Sequence, residues 1–326
     1  MEAQWCPGYN PGMSWKLLVL ALSAGLTASA QARIPIILDT DIGDSIDDAL
    51  ALAFALHSPE LDVRAVTTVI DDVESKTRLA WKMLGVYNRR DVALAMGAPE
   101  PLLDPTMSTA SREFEILTRN DTIPDAARRR AADLIIDTVL QSRGKITLVA
   151  IGPLTNIALA LKTDPRIKNN IERIVIMGGA YLSGETEYNV KRDRAAADIV
   201  FRSGVPIVAV GLDVTSQCKL REKDLDRLRL ANDPTGNFLS RLIDLSEEQT
   251  HDPNPTLYDP LAIAAIFRPD LLEMQTGTVD VPLPGSGQTV FKPASGSKTQ
   301  VAVKVNAPAF LDLFADRVTR GVSGLR

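Results

Sequence analysis

The chain has 326 residues, of which 45% are hydrophobic and 24% charged, and its formal net charge is −5. This composition is ordinary for a globular protein, and the length suffices for one large domain with a substantial core. The acidic balance argues against nucleic acid or an anionic membrane surface as a partner. Two cysteines, Cys6 and Cys218, do not make a disulfide framework.

Residues 1–32 have the features of a signal peptide with an upstream extension. Lys16 precedes an apolar run about ten residues long, and small-x-small cleavage patterns follow at 28–30 and 30–32. The run is too short to span a bilayer, so we expect no stable membrane anchor. The sequence therefore predicts an exported protein, periplasmic or secreted, with its functional domain in residues 33–326.

Beyond this leader, short β-rich segments alternate with segments of helical periodicity. The predicted strands are residues 34–39, 61–70, 92–95, 146–151, 174–177, 206–210, 276–281 and 299–305. The predicted helices are residues 46–57, 74–87, 126–143, 152–161, 194–203, 220–230, 234–246, 259–267 and 307–320. This alternation predicts a single α/β domain with a mostly parallel, doubly wound (Rossmann-like) sheet and helices on both faces. In such sheets the ligand site lies at the carboxyl ends of the strands.

Acidic residues crowd the junction between the first strand and the first helix, at Asp39, Asp41, Asp44, Asp47 and Asp48. Carboxylates packed this closely repel one another unless a cation or strong hydrogen-bond donors hold them. Oxygen ligands of this kind suit a hard divalent cation. The sequence therefore predicts a metal site at the carboxyl end of the first strand.

Polar residues also follow four other predicted strands. They are Asp71-Asp72, the segment 152–156, Gly178-Gly179 with Glu187-Tyr188-Asn189, and Asp213. Because these strand ends meet at one edge of the sheet, they predict a site that binds a polyhydroxylated ligand through a cation.

At this point the chain resembles the inosine–uridine-preferring nucleoside N-ribohydrolases. The family's opening signature, Asp-x-Asp-x-Gly-x-Asp-Asp, appears as Asp39-Thr40-Asp41-Ile42-Gly43 and then Asp47-Asp48, with two extra residues between the glycine and the acid pair. Further matches follow in order at 65–69, 152–158, 177–179, 187–189, 193, 211–215 and 258–262. The resemblance covers nearly the whole of the predicted mature chain.

The resemblance implies hydrolysis of the N-glycosidic bond of ribonucleosides to ribose and free base. It implies a calcium ion (Ca²⁺) held by the carboxylates of Asp41, Asp48 and Asp259 and by the main-chain carbonyl of Ile151. Asp41 would also be the general base for a calcium-activated water. The implied partner is a small ribonucleoside, and the family often forms homodimers or homotetramers.

The resemblance also implies how the sugar is bound. Asp47, Glu187 and Asn189 would bind ribose hydroxyls while the sugar becomes oxocarbenium-like. Asp72 stands where the family often has an asparagine that touches the sugar, and Met177 is either core or a wall facing the ribose. The loop at 184–187 is shorter than is usual in the family.

The group that protonates the leaving base stays open. Tyr258 stands where many members have a histidine, and a tyrosine, with a pKa near 10, is a poorer acid at neutral pH. His251, in the loop approaching Tyr258, is the other candidate for a contact with the base. The nucleobase preference is therefore open as well.

Other polar residues are expected to have structural roles. Asp39 would order the turn, Asp44 and Ser45 would face solvent in the two-residue insertion, and Asp193 would cap the helix beginning near residue 194. Asp213 would accept hydrogen bonds behind the site.

Two other classes of function compete with the hydrolase. A haloacid-dehalogenase-like phosphotransferase would use Asp39 as nucleophile and Asp41 as acid, but it leaves the segments 152–156 and 187–189 unexplained. An exported calcium-dependent nucleoside- or sugar-binding protein with little turnover is favoured by Tyr258 in the histidine position.

Overall fold

The computed structural model describes residues 1–4, 32–103, 111–231 and 233–319. The chain divides into two units, Met1–Ala32 and Arg33–Arg326. The predicted signal peptide lies outside the described residues except at its two ends, so its export role stays a prediction. Within the described ranges, no helix has the length and apolar character needed to cross a membrane.

A mixed sheet forms the centre of the second unit, with nine strands in the described part of the chain. They are β1 (Ile34–Thr40), β2 (Leu61–Thr68), β3 (Ala93–Ala95), β4 (Ile146–Ala150), β5 (Ile171–Met177), β6 (Ile207–Val210), β7 (Leu272–Asp280), β8 (Val290–Pro293) and β9 (Thr299–Val305). The spatial order is β3-β2-β1-β4-β5-β6-β9-β7-β8. β1 to β6 and β9 pair in parallel, whereas β7 runs antiparallel to both β9 and β8. The predicted mostly parallel sheet is confirmed; β8, a short and largely exposed edge strand, was not predicted.

Helices cover the sheet. They are α1 (Ile46–Leu56), α2 (Val73–Val86), α3 (Ala131–Gln141), α4 (Thr155–Thr163), α5 (Tyr188–Arg192), α6 (Arg194–Phe201), α7 (Leu212–Thr215), α8 (Glu222–Leu230), α9 (Pro234–Thr250), α10 (Tyr258–Phe267) and α11 (Ala307–Val318). Short 3-10 helices occur at Arg112–Ile116, Asp125–Arg128, Pro165–Asn169 and Pro269–Leu271. The short helices α5 and α7 were not predicted, because one turn of helix is too short to show a 3.6-residue period.

The core lies in two hydrophobic clusters that involve different sets of helices. Successive side chains of β1 alternate between them: Leu38 belongs to the cluster with α1, α10 and α11, and Ile37 belongs to the cluster with α3, α4 and α6. In the first cluster the Phe54 ring lies 5.4 Å from that of Phe314 and 6.4 Å from that of Phe310, centroid to centroid. Helices therefore cover both faces of the sheet, as predicted.

The strand order reverses direction at β1. From β1 the chain passes to β2 and β3 on one side, and then crosses back to β4 on the other. The loops that follow β1 and β4 therefore diverge and leave a crevice between them, which is where ligands bind in open parallel sheets.

Candidate active site

A cavity of about 530 Å³ opens at the carboxyl ends of β1, β4 and β5. Its volume is within the range of small-molecule sites. It is lined by Asp41, Asp44, Ser45, Asp47, Asp48, Ile151, Met177, Thr186, Glu187, Tyr188, Asn189, Leu212, Tyr258 and Asp259. Nine of the eleven residues predicted for the site are thus brought to one cavity; Asp72 and His251 are not among those that line it.

The turn from β1 to α1 positions three of the carboxylates. Asp41 follows the last residue of β1, and Asp47 and Asp48 lie in the first turn of α1, where the helix dipole favours negative charge. The Thr40 hydroxyl donates a 2.5 Å hydrogen bond to Asp48 Oδ1 and accepts one of 3.0 Å from the Ile42 N–H. These bonds fix the Asp48 carboxylate relative to the end of the strand.

A buried carboxylate triad forms where α1 meets α10. Asp47, Asp48 and Asp259 each present an oxygen within 4.8 Å of the other two, and each residue is only 3% exposed. The Asp259 N–H donates to Asp47 Oδ2 at 3.2 Å, which ties the starts of the two helices together. Two of the three carboxylates predicted as calcium ligands, Asp48 and Asp259, therefore lie together, and Asp47, predicted to bind ribose, is beside them.

Electrostatic repulsion dominates this site. Burial, reinforced by neighbouring carboxylates, raises the pKa of Asp48 and of Asp259 well above the ordinary value. Burial and the charge of Asp44 raise the pKa of Asp41 to about 8. Among the described residues that line the cavity there is no lysine, arginine or histidine. The Lys76 ammonium, which pairs with Asp44 behind the lining, partly offsets this repulsion at Asp41. The donor set of buried oxygens, with no cationic side chain among the described lining residues, fits a hard divalent ion.

Gly152 brings the β4 loop against Asp41. A Cβ atom at this position would lie 2.6 Å from Asp41 Oδ1 and 2.9 Å from the Asp41 nitrogen, so any larger residue would have to displace Asp41. The carbonyl of the preceding residue, Ile151, accepts a 2.8 Å hydrogen bond from Asn189 Nδ2, which also donates to the Met177 carbonyl at 3.2 Å. The Asn189 amide thus joins the ends of β4 and β5 beneath the cavity.

Glu187 organises the opposite wall. Its carboxylate caps α5 by accepting the N–H groups of Asn189 at 2.8 Å and Val190 at 2.9 Å, and it also accepts the Gly179 N–H at 3.0 Å. Burial raises its pKa despite these donors. The side chain therefore fixes the segment that carries Tyr188 and Asn189 into the cavity.

Three acids behind the cavity have structural roles. Asp39 is fully buried and accepts hydrogen bonds from Thr67 Oγ1 at 2.5 Å and Asn156 Nδ2 at 2.8 Å, which link β1, β2 and α4. Burial, partly offset by these donors, raises its pKa to about 7. Asp193 accepts the Ala196 N–H at 2.9 Å and so caps α6, as predicted. Asp213 accepts three successive N–H groups of the loop after β5, those of residues 181–183.

The structure changes the interpretation of three predicted residues. Asp44 was predicted to face solvent, and this prediction is wrong. Its side chain is only 12% exposed and forms an ion pair with Lys76. Asp72 is exposed and caps α2 by accepting the Ser75 N–H at 3.0 Å. His251 is an exposed residue in left-handed conformation (φ 57°) at the end of α9.

One acid near the site had no recognisable sequence signal. Glu113, in the 3-10 helix Arg112–Ile116, is buried, and its Oε2 has no hydrogen-bond partner within the described part of the chain. Burial, together with the charges of Asp47 and Asp44, raises its pKa to about 8. The neighbouring Phe114 ring packs against Gly43, whose φ of 99° and lack of a Cβ admit it. A single glutamate in a polar loop gives no periodicity or motif from which this burial follows.

Comparisons with known proteins agree on one family. The family described as "Inosine-uridine preferring nucleoside hydrolase" matches residues 36–312. A pyrimidine-specific ribonucleoside hydrolase (RihA) of Escherichia coli O127:H6 is 35% identical over 307 residues, which cover 87% of this chain and 98% of the relative. A solved purine-preferring ribonucleoside hydrolase from Gardnerella vaginalis has a TM-score of 0.77 and 31% identity, covering 90% of this chain and 100% of its own. A solved plant nucleoside hydrolase has a TM-score of 0.77 and 30% identity, and the match covers 89% of this chain and 100% of the plant chain.

Proposed function

Because the chain belongs to the inosine-uridine preferring nucleoside hydrolase family and is an enzyme that hydrolyses ribonucleosides to ribose and free base, we propose that the cavity described above is its active site and that calcium is its metal. The observation that carries the proposal is the buried triad of Asp47, Asp48 and Asp259 beside Asp41. The phosphotransferase alternative loses its nucleophile, because Asp39 is fully buried and does not line the cavity.

The family is metal-dependent, and two members of the triad, Asp48 and Asp259, are the ones that we assign to the ion, with Asp47 beside them for the sugar. We assign the metal ligands to Asp41, Asp48, Asp259 and the Ile151 carbonyl, all of which line the cavity. Calcium takes six to eight oxygen ligands in irregular geometry, which suits carboxylates and a main-chain carbonyl from separate loops. A cation held by these residues would supply positive charge that offsets the carboxylate repulsion and would acidify water.

Asp41 is the proposed general base, taking a proton on its carboxylate as water attacks the anomeric carbon. It must be ionised to do so. Its pKa of about 8 reflects burial and the charge of Asp44, and an opposite charge beside a buried carboxylate lowers that pKa towards the working range.

Asp47, Glu187 and Asn189 are the proposed ribose contacts, and Met177 forms part of the wall beside them. Hydrogen bonds from sugar hydroxyls to these groups strengthen as the ring gains oxocarbenium character and the base departs. Asp72 has less support, because its side chain is engaged as a helix cap.

Tyr258 is the better-supported contact for the leaving base. It is half-buried, lines the cavity and precedes Asp259 in α10, whereas His251 is exposed and outside the cavity lining. The relatives named above include a pyrimidine-specific and a purine-preferring enzyme, so we leave the base preference to experiment.

A panel of purine and pyrimidine ribonucleosides tests the assignment, with released ribose measured as reducing sugar. We expect turnover of at least one member, loss of turnover after chelation, and recovery on addition of Ca²⁺ in preference to Mg²⁺ or Zn²⁺. Asp41→Ala should abolish turnover while leaving the circular dichroism spectrum unchanged. Retained activity in this variant would refute Asp41 as the base.

The exported location and a homodimeric or homotetrameric state remain part of this proposal. The sequence pattern at residues 16–32 supports export. N-terminal sequencing of the mature protein tests it, and light scattering measures the oligomeric state.

A further inference from the structure

Asp44 is a cavity residue that the function described so far does not use. It lies in the turn between β1 and α1, which contains the two residues that this chain adds to the family's opening signature. The structure places it on the wall of the cavity, on the same turn as Asp41. The insertion therefore adds an acid to the site.

Lys76 fixes the position of this acid. Its ammonium lies 2.9 Å from Asp44 Oδ2 and donates to the Val69 carbonyl at 3.2 Å, and its side chain is only 1% exposed. A buried ammonium without a counter-charge is strongly unfavourable, so the pair holds the carboxylate in one place. A carboxylate offers about four acceptor positions on two oxygens, and the Lys76 contact leaves others available to a ligand.

A second ion pair lies nearby and supports the same wall. Arg192 Nη2 is 2.5 Å from Asp71 Oδ2, and both side chains are largely buried. The Arg192 guanidinium also lies 5.8 Å from the centre of the Tyr188 ring, which lines the cavity. Asp44 is thus a rigid acceptor on a built wall, and the ligand that enters this cavity is rich in hydroxyl donors.

We propose that Asp44 determines specificity for the sugar by accepting a hydrogen bond from one of its hydroxyl groups, and that Lys76 is a positioning residue that acts through Asp44. The inference rests on ribonucleoside hydrolysis in this same cavity. It differs from the metal site because Asp44 already has a cation of the protein as its partner, whereas no lysine or arginine among the described residues lines the cavity near the triad.

The test compares variants on matched substrates. Asp44→Ala, Asp44→Asn and the unsubstituted protein are assayed with the best ribonucleoside and with its 2′-, 3′- and 5′-deoxy derivatives. A hydrogen bond to a charged acceptor predicts that Asp44→Ala lowers kcat/KM for the parent nucleoside by roughly 10- to 100-fold. Asp44→Asn should lose less, because its amide oxygen still accepts.

The deoxy derivatives show whether Asp44 acts on a hydroxyl group of the sugar. With the one that lacks the bound hydroxyl, Asp44→Ala and the unsubstituted protein should have equal kcat/KM, because neither can form the bond. An equal loss with all three derivatives would overturn the proposal, since Asp44 would then act on the chemistry and not on a hydroxyl. Absence of turnover by the unsubstituted protein would instead overturn the reaction assigned to the cavity.

Lys76 is tested with a variant that keeps the fold. Asp44→Ala alone leaves the Lys76 ammonium buried and unpaired, so the double variant Asp44→Ala/Lys76→Met removes both charges. The comparison is made on the high-pH plateau of each variant, because the Lys76 ammonium also lowers the pKa of Asp41. There we expect this double variant to match Asp44→Ala in kcat/KM for every substrate and to have a higher Tm. A further loss of activity in the double variant would refute the claim that Lys76 acts through Asp44. Glu60→Gln, which breaks the ion pair with Arg317 (2.7 Å), is the matched control and should leave kcat/KM unchanged.

Discussion

Replacing Gly152 by alanine tests how closely the site depends on the placement of Asp41. The new Cβ would lie 2.6 Å from Asp41 Oδ1, whereas ordinary contact begins at 3.4 Å, so about 0.8 Å of separation is missing. The second contact, 2.9 Å to the Asp41 nitrogen, is with the main chain, so the clash is not relieved by side-chain rotation alone. The carboxylate or the strand end must therefore move.

This movement should lower the catalytic rate more than the stability of the fold. A misplacement of about 1 Å in a catalytic group costs on the order of 100-fold in rate, so we expect Gly152→Ala to lower kcat/KM by roughly 30- to 100-fold. Overpacking of a buried site typically costs about 1–3 kcal/mol of stability. The variant should therefore fold, with a reduced Tm.

Gly144→Ala is the matched control, because an added Cβ there would have no neighbour within 4 Å among the residues that the structure describes. Both variants are assayed for released ribose and for the free energy of unfolding in urea. Gly152→Ala with the kcat/KM of the unsubstituted protein would refute the argument, since Asp41 would then tolerate displacement. Equal losses in the two variants would refute it as well.

Two further predictions concern stability. Asn156→Ala removes a buried amide that donates to Asp39 at 2.8 Å, and we expect a loss of about 3 kcal/mol or more in urea unfolding, against little change for the exposed Asn120→Ala. Glu113→Gln should be increasingly more stable than the unsubstituted protein as the pH rises from 4.5 to 8. In this window the folded protein holds a proton on Glu113 that the unfolded chain releases, so the free energy of unfolding of the unsubstituted protein falls by up to roughly 1.4 kcal/mol per pH unit. The glutamine variant does not titrate and should not show this fall. A difference in unfolding free energy between Glu113→Gln and the unsubstituted protein that stays constant from pH 5 to 8 would show that this carboxyl is not buried as described.

The strand-end rule predicts much of the site from the sequence alone. Asp41, Asp47 and Asp48 follow the first strand, and the reversal of strand order at β1 brings that strand end beside the loops after β4 and β5. Asp259 is more than two hundred residues away, and only the resemblance linked it to these acids. Its 3.2 Å main-chain hydrogen bond to Asp47 is a tertiary contact that no local pattern encodes.

Where sequence reasoning failed, a distant partner decided the outcome. Asp44 has the character of a solvated loop acid unless Lys76 is known to be buried beside it, and that burial depends on how α2 packs. Asp72 is a different case, because its observed role as a helix cap is local and its contact with the sugar stays a prediction. Glu113 is buried by a 3-10 helix whose position on the β1–α1 turn is fixed by the Phe114 ring against Gly43.

The acids of this site differ in the hydrogen-bond donors or positive charge that stabilise each carboxylate, and this difference separates their functions. Hydroxyl and amide donors stabilise the carboxylate of Asp39, and the ammonium of Lys76 stabilises that of Asp44. Both carboxylates therefore have their stabilising partners within the protein. The triad of Asp47, Asp48 and Asp259 is held together by the two helix starts, and burial raises the pKa of each of its members. Since these carboxylates repel one another, the free energy that keeps them close comes from the hydrophobic clusters beneath them and not from the acids themselves. This arrangement is unfavourable on its own and is relieved by a proton or a cation, which supports the proposed metal site.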